Sequence, residues 1–294
     1  MIPIFSLKKI ALAIAFATAA FTCPAQKVKE PKPSWSNEWS KPYQPFRIAG
    51  NLYYVGTYDL ACYLITTPAG NILVNTGLKA SEKMIRQNIK KLGFKFSDTK
   101  ILLNTQAHYD HLGAMAAIKK QTGAQFMLNE KDAAVAKDGG RSDYALGGEY
   151  PSFKPLTPDR LLKNGDTVSL GGTNLIMLHH PGHTRGSSSF LFTVKDEQAE
   201  YKVLIANMPS IVTDSAFSHV HQYPEIAADY AYTLEAMKNI GFDIWLASHA
   251  GQFNMHDKHK PGDPYNPAAF KDQAGYDEAI SSYEKAYVEK LKQQ

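Results

Sequence analysis

The sequence predicts an α/β protein in four layers, an αββα sandwich of two β-sheets with helices on both outer faces. Three observations point there. Short apolar or alternating runs bounded by turn residues mark strands in both halves of the chain. Each β-rich stretch gives way to segments with helical spacing, so the same order of elements occurs twice. The 294 residues are 44% hydrophobic and 20% charged, enough apolar material for one sizeable core. Local pattern alone leaves a mixed α/β fold of another kind open.

Residues 1–25 stand outside that fold. Lys8 and Lys9 precede an apolar run over residues 10–21, and the small residue Ala25 precedes Gln26. This is the layout of a secretory signal peptide, and the run is too short to span a bilayer. The rival readings are an uncleaved anchor or lipidation at Cys23, where Thr22 is a poor fit for the preceding small residue. The expectation is a periplasmic chain beginning at Gln26, with no stable membrane anchor. Cys62 is then the only thiol, so no intrachain disulfide can form. Within DLACYLI it reads as a small buried hydrophobe. A net charge of +4, with Lys and Arg scattered, excludes a nucleic-acid stripe. Nothing points to an oligomer, and a monomer is expected.

Residues 26–45, rich in Pro, Lys and Ser, read as an N-terminal arm with Trp35 and Trp39 as anchors; residues 46–294 read as a single domain. Strands are expected within 47–55, at 61–66 and at 71–75. Ser81 reads as the N-cap of a helix running to Leu92, with Met84, Ile85, Ile89 and Leu92 on one face and Gly93 ending it. A strand at 101–103, a helix over 112–121 and a strand at 126–128 follow. The second half gives strands at 160–170, 173–178, 188–194 and 201–206, a helix over 224–240 and a strand at 243–247. A last amphipathic helix carries Ile280, Tyr283, Tyr287 and Leu291.

The strongest chemical signal is Gln106-Ala107-His108-Tyr109-Asp110-His111, at the end of an apolar strand and just before a helix. Imidazole nitrogens and a carboxylate oxygen suit zinc, which takes about four ligands. Two further histidines follow buried strands: His183 in HHPGHTRGS and His249 in IWLASHAGQ. Each can be delivered to the same rim. Gln106, His108, Asp110, His111, His183 and His249 divide into two sets of three, with water in the open positions, for one or two zinc ions. A lone histidine in a loop is usually a polar surface residue; three sites that each follow a buried strand are harder to dismiss. His179 is expected to point into the core or behind the ligands, and His180 to orient its loop. His219, His221, His256 and His259 lie among polar neighbours and read as surface residues. Gly186-Ser187-Ser188-Ser189 lacks the G-x-S-x-G elbow of a serine nucleophile.

Residues 106–111 resemble the H-x-H-x-D-H signature of the metallo-β-lactamase fold, with Gln in place of the first His. Asn75-Thr76-Gly77 resembles its Asp-Thr-Gly turn with Asn for Asp, and HHPGHT and ASHAG resemble its later histidine motifs. The likeness runs from about Phe46 to the C-terminus. It is most similar to subclass B3, particularly the GOB-type enzymes with Gln at this position, through residues 103–111, 178–187 and 205–210. The resemblance implies zinc-dependent hydrolysis of the β-lactam amide bond, a small-molecule substrate and resistance to β-lactam antibiotics. It also implies a first metal position using Gln106, His108 and His183 and a second using Asp110, His111 and His249. Met208 stands where some branches have a Cys ligand. Ser210 matches a position that contacts the substrate carboxylate in some relatives. Asp110 is the expected catalytic group, holding the attacking water or moving its proton to the leaving nitrogen.

A neutral amide oxygen is a poorer donor to zinc than imidazole, so the Gln106 half should be the weaker. Gln106 as a hydrogen-bonder behind the ligands is the alternative. The same scaffold hosts thioester hydrolases, lactonases and phosphodiesterases, so fold alone does not choose. A glyoxalase-II-like thioesterase is the main rival. Selectivity is expected to depend on loops near 34–45 and 139–153, with Tyr150 to Phe153 as a lid.

Overall fold

The computed structural model describes residues 27–32 and 37–293. The signal segment and Trp35 lie outside these residues. Strands β1 (Phe46–Ala49), β2 (Leu52–Tyr54), β3 (Tyr63–Thr67) and β4 (Gly70–Val74) form an antiparallel meander. Helix α1 (Ser81–Lys91) then crosses to β5 (Thr99–Leu103), which pairs parallel with β4. Ile85 and Ile89 of α1 are fully buried, and the helix ends where Gly93 turns to φ +87°. Ser81 is its first helical residue rather than its cap: Ala80 takes that place, while the Ser81 side chain packs against Gly77.

The helix expected over 112–121 is two: α2 (Tyr109–Leu112) and α3 (Met115–Thr122). They are parted at Gly113, where a side chain would strike the backbone of Leu78 and Lys79. Asp110 and His111 therefore sit on a helical turn. The sheet continues in parallel through β6 (Gln125–Asn129), and helix α4 (Ala133–Asp138) follows.

The expected strand at 160–170 is also two, and they belong to different sheets. β7 (Arg160–Leu162) closes the edge of the first sheet and β8 (Thr167–Leu170) opens the edge of the second. The polar turn between them, with Gly165 at φ +85°, carries the chain across. β9 (Thr173–His179), β10 (Ser188–Lys195) and β11 (Glu200–Ala206) follow antiparallel. Helix α5 (Ile226–Lys238) leads to β12 (Ile244–Ala247), parallel to β11, and α6 (Met255–Lys258) and α7 (Gln273–Leu291) end the chain.

Among the described residues, seven strands thus make one sheet and five the other. One core lies between them, joining Ile65, Ile72, Val74 and Leu103 to Met177, Phe190, Val203 and Ile205. The alternate residues Leu64, Leu73, Leu102 and Phe126 face outward onto α1 and α3. Leu234 and Met237 of α5 and Tyr276 and Ile280 of α7 pack on the second sheet. This is the expected four-layer sandwich. Period-2 alternation sends one side of each strand to the central core and the other to a helix layer.

Three local expectations fail. His259 is buried, its ring stacked on Phe46 at 3.5 Å between centroids, and His256 stacks on Tyr58 at 3.8 Å. Their sequence neighbours are polar, but α6 and the residue after it place both rings against the aromatic group of Tyr43, Phe46 and Tyr58. His180, not His179, is the interior residue, with Nδ1 2.7 Å from Ser189 Oγ. Phe153 is a core residue rather than part of a lid, because it packs with Val135 and Ala136 of α4. Cys62 is buried and free, as expected.

Candidate metal centre

The site forms where three strands of apolar sequence end together. Past β5 the chain is clamped from two sides. Asn75, held at φ +61°, accepts from Thr105 N at 3.0 Å, and Thr76 N and Oγ1 both donate to the His111 carbonyl at 2.9 Å. Asparagine tolerates this left-handed backbone better than most residues. His108 remains extended, with φ −99° and ψ 157°, and α2 starts immediately after it. The chain therefore reverses at His108, and residues on both sides of the bend face one cavity. β12 leads into the turn bearing His249, and β9 into the loop bearing His183.

The cavity has a volume of 440 Å³ and is bordered by Gln106, His108, Asp110, His183, Ser210 and His249, with Trp39, Tyr109, Leu146 and Val212 as apolar walls. His111 is fully buried beside the lining residues Asp110 and His249. All six residues proposed as ligands meet here, and they pair as two subsets. The His111 and His249 rings are 5.1 Å apart, with Asp110 Oδ2 at 3.3 Å from His111 Nε2 and 3.4 Å from His249 Nε2. Their ligand atoms lie within 4.8 Å of one another, a group able to hold a metal ion. On the other side the His108 and His183 rings are 4.9 Å apart, and Gln106 Nε2 is 3.4 Å from His108 Nδ1. A half-turn of this amide presents its oxygen at the same place.

The unused nitrogens show what the arrangement lacks. Nδ1 of His111 and Nε2 of His183 are buried without a hydrogen-bond partner, and Nε2 of His111 has no well-formed hydrogen bond beyond the 3.3 Å approach of Asp110 Oδ2. Such groups carry a desolvation cost unless something else binds them. His183 Nδ1 donates to the Ser210 carbonyl at 2.7 Å, which leaves Nε2 as the lone-pair nitrogen aimed at the cavity. His249 Nδ1 is held by Asp59 Oδ2 at 2.9 Å, and His108 Nε2 lies 3.3 Å from Asp143 Oδ2. A carboxylate or carbonyl behind the outward nitrogen is the arrangement that orients imidazoles on a metal. These residues fit a metal.

Electrostatics agree with that reading. Burial raises the Asp110 carboxyl, but His111 and His249 more than reverse this and hold it well below the usual carboxylate range. Burial lowers His249, yet hydrogen bonds to Asp110 and Asp59 bring it up to about 9. His183 falls to about 3, first through burial and then through the neighbouring His108. Burial also lowers His108, and Asp143 overrides it to give a raised value. Burial lowers His111 as well, so His111 and His183 both favour the neutral imidazole that a metal binds.

Asp59, Asp132 and Asp143 were missed. Asp59 and Asp143 sit in loops and Asp132 in the short turn before α4, none with motif spacing around it, so the sequence carried no signal for them. Asp59 accepts from Trp39 Nε1 at 3.0 Å and from Gly251 N at 3.0 Å besides His249. It thereby fixes the wall residue Trp39, one of the two predicted anchors. Leu146 is the part of the 139–153 loop that borders the cavity.

The pattern of the metallo-beta-lactamase superfamily matches residues 56–196. Among solved structures, the chain is 66% identical to the class B3 di-zinc metallo-beta-lactamase LRA-12 from an Alaskan soil metagenome. That match has a TM-score of 0.89 over 90% of this chain and 100% of the other. It is 55% identical to the metallo-beta-lactamase GOB-18 from Elizabethkingia meningoseptica, with a TM-score of 0.90 over 92% of this chain and 100% of that one. Among curated proteins, it is 30% identical to the hydroxyacylglutathione hydrolase GloC of Haemophilus influenzae, over 47% of this chain and 63% of that protein. The chain spans about three fifths of the length of the curated relatives it first matches. With the likeness to LRA-12 running over that protein's full length, the chain belongs to the metallo-beta-lactamase superfamily, in its class B3 branch.

Proposed function

We propose that this protein is a zinc-dependent β-lactamase that hydrolyses the β-lactam amide bond and so confers resistance to β-lactam antibiotics. The observation that carries this reading is the set of orphaned nitrogens of His111 and His183 around a cavity shared with Asp110, His249, His108 and Gln106. Asp110, His111 and His249 would hold one zinc, and Gln106, His108 and His183 a second. Zinc held there supplies Lewis acidity for developing negative charge and a water that ionises near neutral pH.

The chain's own groups do the rest. Asp110, whose carboxylate borders the cavity beside His111 and His249, takes the proton of the attacking water and returns it to the lactam nitrogen as the C–N bond breaks. Trp39, Tyr109, Leu146 and Val212 cover the apolar part of the substrate and exclude water. Ser210 borders the cavity and is assigned to the substrate carboxylate; its carbonyl meanwhile orients His183. Among the described residues no helix is long and apolar enough to cross a membrane. Removal of residues 1–25, an arm over 26–45, a single domain over 46–294 and a monomeric periplasmic protein complete the proposal.

Hydrolysis of nitrocefin and a carbapenem by the purified chain, lost on chelation and restored by zinc, is the expected result. Turnover of a thioester or lactone with no β-lactam hydrolysed would overturn it in favour of the thioesterase reading.

A further inference from the structure

Asp132 ends the 3-10 turn Glu130–Asp132 after β6 and stands at the cap position of α4, where an aspartate would ordinarily bind the helix's own amides. It does not. Its side chain turns away and takes three donors from the two loops of the Gln106 half. Oδ2 accepts from Ala107 N at 2.9 Å and from Thr184 Oγ1 at 2.8 Å; Oδ1 accepts from Gly186 N at 2.8 Å. Ala107 lies between Gln106 and His108, and Thr184 follows His183. The carboxylate is 1% exposed, and a side chain at Gly186 would reach within 2.5 Å of its Cγ. The loops are also joined at their roots, where Ser188 N donates to the Thr105 carbonyl at 2.8 Å. Asp132 is the link that joins them at the ligands themselves.

We infer that Asp132 is the positioning residue that sets His108 and Gln106 against His183, and so governs how tightly the Gln106 half holds its metal. This rests on the assignment of Gln106, His108 and His183 to one metal. An aspartate suits the task because it only accepts, so all three donors can be satisfied at once. Asparagine keeps the size but turns an N–H toward one of those donors. Among the described residues this carboxylate makes no hydrogen bond to Asp110, His111 or His249; Thr76 holds the His111 carbonyl and Asp59 holds His249.

The test uses Asp132→Asn in the full exported chain, titrated with zinc against a chromogenic chelator. The first equivalent should bind as in the unaltered protein and the second should weaken roughly 10- to 100-fold, as for other residues that orient ligands. In the metal-free chain the imidazole NMR signals of His108 and His183 should shift, and those of His111 and His249 should stay. Unchanged affinities with unmoved rings would overturn the inference. So would equal loss from both halves, which would make Asp132 a general support of the fold. If the variant does not fold, Thr184→Val removes one donor and keeps the carboxylate. It should weaken the second equivalent by a smaller factor and shift the His183 signal; no change in either overturns the proposal. Two equal sites in the unaltered protein would refute the unequal halves, and the ring signals would still decide the role of Asp132.

Discussion

The two halves of the cavity solve the same electrostatic problem with the negative charge in different places. In the half built from Asp110, His111 and His249, a carboxylate faces both rings directly, and Asp59 stands behind His249. In the other half the innermost groups, Gln106, His108 and His183, carry no anion. Their carboxylates are set back: Asp143 behind His108 and Asp132 behind the loop backbones. A charge in contact with a metal attracts it more strongly than one a residue further away, because Coulomb energy falls with distance and rises as solvent is excluded. On the assignment proposed above, the neutral amide of Gln106 takes a ligand position while the carboxylates behind it hold the rings in place. The difference also gives the two halves distinct weak points.

The largest effect should come from removing the one inner anion. Asp110→Asn deletes the carboxylate that faces both His111 and His249 and the group that carries the proton. The turnover number should fall by about 10²- to 10⁴-fold, the usual worth of a positioned acid–base group. The first zinc equivalent should weaken with it. Steady-state kinetics at saturating zinc, alongside metal content, check both. If turnover falls but the first equivalent keeps its affinity, Asp110 serves the proton alone and the contrast between the halves loses its basis.

A smaller effect is expected behind the ligands. Asp59→Ala strips the acceptor from His249 Nδ1 and from Trp39 Nε1. The first zinc equivalent should weaken roughly 10- to 100-fold, while the second is unaffected. KM for the substrate should rise as well, because Trp39 loses its hydrogen bond to Asp59 at the cavity wall. Competition titration reads the first effect and steady-state kinetics the second. Equal weakening of both equivalents would mean that the halves are mechanically coupled and cannot be compared as separate units.

What could be read from the sequence follows the same division between inner and outer groups. The inner residues were legible because strand ends deliver them in short local runs: residues 106–111, the His183 loop and the His249 turn. Apolar strands preceding each run placed them on one rim without any knowledge of topology. The outer residues were not legible. Asp59 acts on His249, and Asp132 acts on Thr184 and Gly186, across distances in sequence that no motif spans. The same limit explains the failures elsewhere. His259 was misplaced because its partner, Phe46, belongs to the first strand. Residues 160–170 read as one strand because alternation says nothing about which sheet each end joins.

The finest test reverses the asymmetry instead of destroying it. Gln106→His places an imidazole where the amide stands, beside His108 Nδ1 and buried at 3% exposure. Imidazole is the better donor to zinc, so the second equivalent should tighten by about tenfold, or about 1.4 kcal/mol. The first should not move, because its carboxylate and its two rings are untouched. Titration against a chelator would then show two steps drawn closer together. An unaltered second step would make Gln106 a hydrogen-bonder behind His108 rather than a ligand. The weakness of that half would then come from having only two protein ligands, and the set-back carboxylates Asp132 and Asp143 would hold a site completed by water.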